Sequence, residues 1–349
     1  MDEHTQRQID TGSAQVAALY RAGRYSEAIP LAEHLFELSS SVLGADHRDT
    51  ANSLNNLALL NKALGDYARA EPLYQRALTI AERVLGADHP DTAATLNNLA
   101  LLYHALGDYG SAEPLFQRAL AICERFLGAD HPSIAISLNN LAMLYDTVGD
   151  YARAEPLYRR ALAIKEQILG AEHFDTATSL NNLAELYRAR GDYGRAEPFY
   201  QRALTIRERV LGAEHLHTAP SLNNLAGLYL ELGDYGRAEP LLQRALAIRE
   251  RALGADHPNT ATSLSSLAAL YLALSDYGRV EPLLQRALAI HEQVLGADHP
   301  HTATNLRGLA AMYCALGDYG RAEPLLRRAL AICEQVLGAN HPDTAISLH

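Results

Sequence analysis

The stretch Leu85-Gly86-Ala87-Asp88-His89-Pro90 returns 42 residues later as Leu127-Gly128-Ala129-Asp130-His131-Pro132. The same Leu-Gly-Ala-(Asp/Glu/Asn)-His segment begins at Leu43, Leu169, Leu211, Leu253, Leu295 and Leu337, and no insertion or deletion interrupts the series. Eight of the 15 histidines fall at one repeat position, from His47 to His341, and eight of the 18 tyrosines at another, from Tyr25 to Tyr319. A fixed period of 20–50 residues marks an array in which each unit buries its apolar face only against its neighbours.

The segment between two copies reads as a helical hairpin. Asp91 or Thr92 can cap a first helix, whose apolar residues Leu96, Leu99, Ala100 and Tyr103 follow a 3.6-residue spacing. Gly107-Asp108 ends it, and a second helix from about Tyr109 to Leu127 carries Ala112, Leu115, Phe116, Ala119, Leu120 and Ile122 as its stripe. Gly128 and Asp130-His131-Pro132 form the turn into the next unit. Pro72, Pro114, Pro156, Pro198, Pro240, Pro282 and Pro324 lie within the second helices, where each removes a backbone hydrogen bond, and predict a gentle bend near the helix start. The turn histidines are expected to pack or hydrogen-bond near the C-terminal dipole of the second helix.

Composition narrows the function. The chain has 349 residues, 48% of them hydrophobic, which argues against disorder. The net charge of −11 disfavours nucleic acid or an anionic membrane as partner, since both require clustered Lys and Arg. Three cysteines form no disulfide framework and fit a reducing, cytoplasmic setting; no apolar leader or membrane-length run is present.

The residues Gly107, Tyr109, Ala112, Phe116 and Ala119 resemble the Gly-x-Tyr-x-x-Ala-x-x-x-Phe/Tyr-x-x-Ala pattern of tetratricopeptide repeats. With Leu96-Asn97-Asn98-Leu99-Ala100 and the Leu-Gly-Ala-Asp-His-Pro turn, the unit is similar to the 42-residue kinesin light chain type. The resemblance runs from about Gln8 to Leu337. It implies an all-α α-solenoid, a right-handed superhelix of antiparallel hairpins whose first helices line a concave groove. On this reading residues 1–43 form a degenerate capping hairpin, with Gly12 and Ser13 where later units have Leu and Asn. Residues 44–337 form seven repeats, and residues 338–349 start a further one. The C-terminal face covered only by that stub suggests a fragment of a longer parent, or self-association.

Catalysis finds no support. One histidine per hairpin cannot converge on a metal, and the His215/His217 and His299/His301 pairs lack further ligands, so no metal or cofactor is expected. No phosphate loop, Gly-x-Ser-x-Gly elbow or Cys-x-x-Cys occurs, and the chain reads as no enzyme. Cys123 and Cys333 share a position with Ala81, Lys165, Arg207, Arg249 and His291, company that suggests a solvated surface. Glu113 and Arg118 with their equivalents suggest bridging between repeats or a solvated face.

The family geometry places the groove at Ala94, Asn97, Leu101, His104, Ala105 and their equivalents. Asn55, Asn97, Asn139, Asn181 and Asn223 then form a ladder of carboxamides able to pair with an extended peptide backbone, a role that asparagines of this motif hold in kinesin light chains. The alternative is that these asparagines join helices. The ladder breaks at Ser265 and Arg307. Beside it lie Leu59, Leu101 and Met143, then Glu185 and Arg188, with Lys62, His104 and Asp146 at the rim and Leu230, Leu272, Ala269 and Ala311 making a more apolar end. The expected function is a protein-interaction scaffold holding a peptide or protein segment with on the order of micromolar affinity. The competing expectation, from arrays of this type that sit beside effector domains, is the sensor arm of a caspase-like protease or nucleotide-dependent switch. The strict period also fits recent duplication or design without an evolved ligand.

Overall fold

The computed structural model describes residues 3–128, 130–338 and 341–348. The side chains of residues 3, 4 and 348 are outside that description, as are Ala129, Ala339 and Asn340 of the recurring turn and the terminal residues of the 1–43 and 338–349 segments. Among the described residues the chain is all-α, a run of helical hairpins of solenoid type. First helices are α1 (Glu3–Arg21), α3 (Arg48–Ala63), α5 (Pro90–Ala105), α7 (Pro132–Thr147), α9 (Phe174–Ala189), α11 (Ala219–Glu231), α13 (Pro258–Ala273) and α15 (Pro300–Ala315). Second helices are α2 (Tyr25–Val42), α4 (Tyr67–Val84), α6 (Tyr109–Leu127), α8 (Tyr151–Leu169), α10 (Tyr193–Leu211), α12 (Tyr235–Leu253), α14 (Tyr277–Val294) and α16 (Tyr319–Leu337). A last helix, α17 (Pro342–Leu348), follows. The chain divides into two compact units, Met1–Gly128 with Val294–Pro300 and Ile332–His349, and Ala129–Gln293 with His301–Ala331.

Three residues turn one helix into the next. At the end of α3 the Gly65 N–H donates to the Lys62 carbonyl (3.0 Å) and the Asp66 N–H to that of Asn61 (2.9 Å), the paired bonds of a Schellman ending. Gly65 holds φ +75°, which an L side chain adopts only with strain. Asp66 then starts α4, its carboxylate accepting from the Arg69 N–H at 3.1 Å. The second helices run without interruption through their prolines, including Pro30 in α2.

The turn histidines cap the helix that follows them. His89 Nδ1 accepts from the Asp91 N–H at 3.1 Å, with Pro90 in the first turn of α5, and His47, His131, His173, His215, His257 and His341 make the same bond two residues on. The capping residue is thus the histidine, not Asp91 or Thr92. Thr92 instead donates to the Gly86 carbonyl at 2.9 Å and closes the loop from inside. An imidazole with extended backbone accepts a bond as a serine would at this position.

Packing follows the repeat and compensates where it changes. Leu54 of α3 meets Ala77 of α4 in one buried cluster. In the first hairpin the sizes are exchanged: Gly12 stands for the leucine and Leu35 for the alanine, and a Cβ on Gly12 would fall 2.6 Å from Leu35 Cδ2. Gly12 is therefore a packing residue of an ordinary hairpin interface. Within the first unit, the ring of His299 packs on the Gly65 turn and that of His341 on the Gly107 turn. Ser347 of α17 donates to Cys333 Sγ at 3.6 Å.

One turn breaks the glycine rule. Ser275 holds φ +57° at the same position, a conformation that costs a non-glycine residue ~1–2 kcal/mol. Ser275→Gly is expected to stabilise the chain by about 1 kcal/mol in chemical denaturation, since the strain removed exceeds the added unfolded-state entropy. An unchanged or lower midpoint would show that the serine is not strained.

Candidate functional site

The polar residues that recur in every hairpin are committed to the joints between hairpins. In the first unit Tyr103 OH donates to Glu71 Oε1 (2.8 Å), and Arg118 pairs with Glu82 (2.6 Å) while donating to the Ala87 carbonyl (2.9 Å). The second unit repeats both links: Tyr187 with Glu155 and Tyr229 with Glu197, Arg202 with Glu166 and Arg244 with Glu208. Arg195, Arg237 and Arg279 stack their guanidinium groups on Tyr187, Tyr229 and Tyr271, 3.8–4.7 Å from the ring centres. The glutamate and arginine positions therefore bridge successive repeats.

The position shared by Cys123, Cys333, Arg207, Arg249 and His291 is buried, not solvated: these side chains are 1–8% exposed. Arg207 Nη1 donates to the His217 carbonyl (3.1 Å) and Ser221 Oγ (3.0 Å), and Nη2 to Thr178 Oγ1 (3.0 Å). Arg249 makes the equivalent bonds to Asn259 and Ser263, and burial lowers its pKa to about 10. His291 Nδ1 meets Asn305 Nδ2 at 2.7 Å, and its ring, kept neutral by burial and by His301, titrates at about 4. Polar composition misled because the hydroxyl and carbonyl groups that satisfy these side chains belong to the neighbouring helices on either side. Among the described residues no group of three or more His, Cys, Asp or Glu comes together as a metal site, and no helix is long and apolar enough to cross a membrane.

The asparagine positions have mixed surroundings. In the first unit Asn55 Nδ2 donates to Thr95 Oγ1 at 3.2 Å and Asn97 is 8% exposed, while Leu59 on the same helical face is 37% exposed and Leu101 half-buried. In the second, Asn181 Nδ2 donates to Ser221 Oγ at 2.8 Å and Asn139 Oδ1 accepts from Asn182 Nδ2 at 3.5 Å. The Oδ1 atoms of Asn55, Asn181 and Asn223 are buried without a hydrogen-bond partner among the described residues. Lys62, rimming the same face of α3, is pushed down to about 8 by burial.

Seven residues after the ladder asparagines stand Lys62, His104, Asp146, Arg188 and Leu230, and after Ser265 and Arg307 at the same repeat position stand Leu272 and Cys314, a position that changes character in almost every unit. In the second unit this variation builds a charged cluster. Arg188 of α9 reaches Glu185 one turn back and Glu231 at the end of α11, and Tyr200 OH of α10 donates to Glu185. Burial opposes the Arg188 charge, but the two carboxylates override it and raise its pKa. Asp146 of α7 lies against this cluster with Oδ1 buried and unpartnered among the described residues. Burial, then Glu185, push its carboxyl up to about 6 against the pull of Arg188. Met143 is half-buried one turn before it. The sequence singled out Glu185, Arg188 and Asp146; it missed Glu231 and Tyr200, which no spacing rule links to them.

A tetratricopeptide repeat profile matches residues 13–83, 59–125, 98–167, 175–251, 219–292, 280–335 and 303–349, and a second matches residues 139–210. The chain belongs to the tetratricopeptide repeat family. Its solved neighbours include kinesin light chain-like repeat proteins: BtubC (BKLC) from P. vanneervenii is 28% identical over 67% of this chain and 91% of its own, with a TM-score of 0.50. A kinesin light chain repeat protein from Podosopora anserina is 29% identical over 59% of this chain and 97% of its own, at 0.47. A Rap protein complexed with competence and sporulation factor shares the fold at 16% identity over 95% of this chain and 98% of its own, at 0.60. No curated protein matches the chain.

The Asp146 carboxyl supplies a pH test. Its folded-state pKa lies above the ordinary 3.8, so its contribution to stability is full below about pH 4 and lost as the pH rises through about 6. Asp146→Asn, which cannot ionise, should melt higher than the parent at about pH 7.5 and level with it at about pH 4. A lower melting temperature at the higher pH would mark the carboxylate as a net stabiliser.

Proposed function

We propose that this tetratricopeptide repeat protein is a non-enzymatic scaffold that binds a peptide or protein segment along the exposed faces of its first helices. Within each unit the candidate contacts are Asn55, Asn97, Leu59 and Leu101, and Asn139, Asn181, Asn223, Met143, Glu185 and Arg188. Membership of the repeat family supports the interaction role. The observation that carries the assignment to these faces is the division of polar groups. Recurring Glu, Tyr and Arg side chains are committed between hairpins, whereas the first-helix series 62, 104, 146, 188, 230 and 272 changes identity and stays partly exposed. A scaffold that tells one partner from another must do so with residues that vary along it.

The asparagines serve two ends. Each of Asn55 and Asn181 gives its amide N–H to the next repeat, and its Oδ1 remains an acceptor to which a ligand N–H can bond once the side chain turns outward. In capture of native partners from cell extract with the full chain as bait, Asn55→Ala with Asn181→Ala should reduce recovery at least tenfold while lowering the melting temperature by only a few degrees. Undiminished recovery would remove the asparagines from the binding face, and loss of the cooperative melt would make them joints alone.

The reading extends to self-association at the end of α17, where Ile346 is 60% exposed. Light scattering of the chain should then show dimer at micromolar concentration, and a monomer throughout would refute it.

A further inference from the structure

Two turns of the first unit carry a contact that recurs with the repeat. The ring of His299 lies so close to the Gly65 turn that a Cβ there would fall 3.0 Å from His299 Cδ2 and 3.3 Å from Pro300 Cδ. His341 and Pro342 lie on Gly107 in the same way, at 2.8 and 3.6 Å from the place of its Cβ. From one contact to the other both partners advance by one 42-residue repeat, so the seating of a His-Pro turn on a Gly-Asp turn follows the register of the array. A turn glycine has no side chain to shield its backbone or the apolar residue before it, and an imidazole with a proline ring can cover both. Leu64 and Leu106, before the two covered glycines, are half-buried.

The next turn in that series, Gly149-Asp150-Tyr151, has the sequence of the two occupied ones but is open. A Cβ on Gly149 would meet nothing within 4 Å among the described residues, and Val148 before it is 46% exposed. Val148, Gly149, Tyr151 and Ala152 help to line an open hollow of about 680 Å³ in the second unit. Turns able to fill it are exposed as well. Of the five His-Pro turns in the sequence, those of His257, His299 and His341 hold histidines at most 10% exposed. His89 keeps 41% of its side chain exposed, and Pro132 beside His131 is exposed. We propose that the hollow at residues 148–152 receives a His-Pro turn, His89-Pro90 or His131-Pro132, of a second copy of this chain. The occupant is a second copy because this turn already seats on this kind of turn twice within one chain. The donated and receiving surfaces differ, so the association is head-to-tail. It goes beyond peptide binding by the first-helix faces and uses neither the asparagine ladder nor α17.

Complementation between two variants of the full chain tests it. Val148→Asp puts a charge into the hollow at an exposed position, and Ala152→Arg, also exposed, serves as a second receiving-side variant should the first melt early. His89→Asn with His131→Asn removes the donated rings but keeps a side-chain acceptor to cap α5 and α7. Light scattering should show the parent's mean mass rising with concentration and each variant associating at least tenfold more weakly, with melting temperatures within a few degrees of the parent's. An equimolar mixture of the two variants should form a one-to-one heterodimer, because one brings the intact turns and the other the intact hollow. A mixture no heavier than its components would overturn the proposal, as would parent association that neither variant weakens, or a parent monomeric up to about 1 mM. Ile346→Asp, run alongside, separates this surface from α17. Association lost in Ile346→Asp but kept in Val148→Asp and Ala152→Arg assigns the contact to α17 and overturns the hollow; the reverse pattern supports the hollow and removes α17.

Discussion

The structure depends on a three-residue turn. Leu64-Gly65-Asp66 and its counterparts end one helix with a left-handed glycine and begin the next with an aspartate cap, so no residues are left over to form a loop. That economy sets the two helices of a hairpin antiparallel and in contact, which lets Leu54 and Ala77 share a cluster. It also fixes where the flanking side chains emerge. Arg237 can bond Asp234 at the turn and lie over Tyr229 of the preceding helix because all three flank the same turn. A hairpin so built still exposes apolar surface, and the Tyr–Glu and Arg–Glu links specify how the next one covers it.

With the recurring residues so employed, the proposed selectivity falls to the exceptions. A charge present in every hairpin offers every ligand residue the same environment. The series Lys62, His104, Asp146, Arg188, Leu230, Leu272 does not. Burial disfavours the charged forms of Lys62, His104 and Asp146 within this series.

Much of this was legible in the sequence, for a definite reason. A strict period with apolar residues at 3.6-residue spacing and Gly-Asp at fixed offsets points to a helical hairpin array, and of the two readings left open for Arg118 the structure shows the bridge to Glu82. The errors share one cause: sequence supplies the chemistry of a side chain but not that of its spatial neighbours. Arg207 and Arg249 looked like surface residues because their partners, Ser221 and Ser263, lie 14 residues ahead on another helix. His89 was placed beside the helix behind it, whereas its ring turns forward to cap the helix ahead. The cluster of Asp146, Glu185, Arg188, Glu231 and Tyr200 draws on four helices, α7, α9, α10 and α11, and has no linear signature.

On the proposed function, partner contact lies on the varying faces of the first helices and not on the recurring second-helix surface. Hydroxyl-radical footprinting of the full chain with and without a captured partner tests it most directly. Within the second unit, Met143, Leu230 and Leu272 should lose reactivity on binding while the exposed Ile168 and Val210 of the second helices keep theirs. Protection of Ile168 and Val210 with Met143 and Leu230 unchanged would contradict the claim.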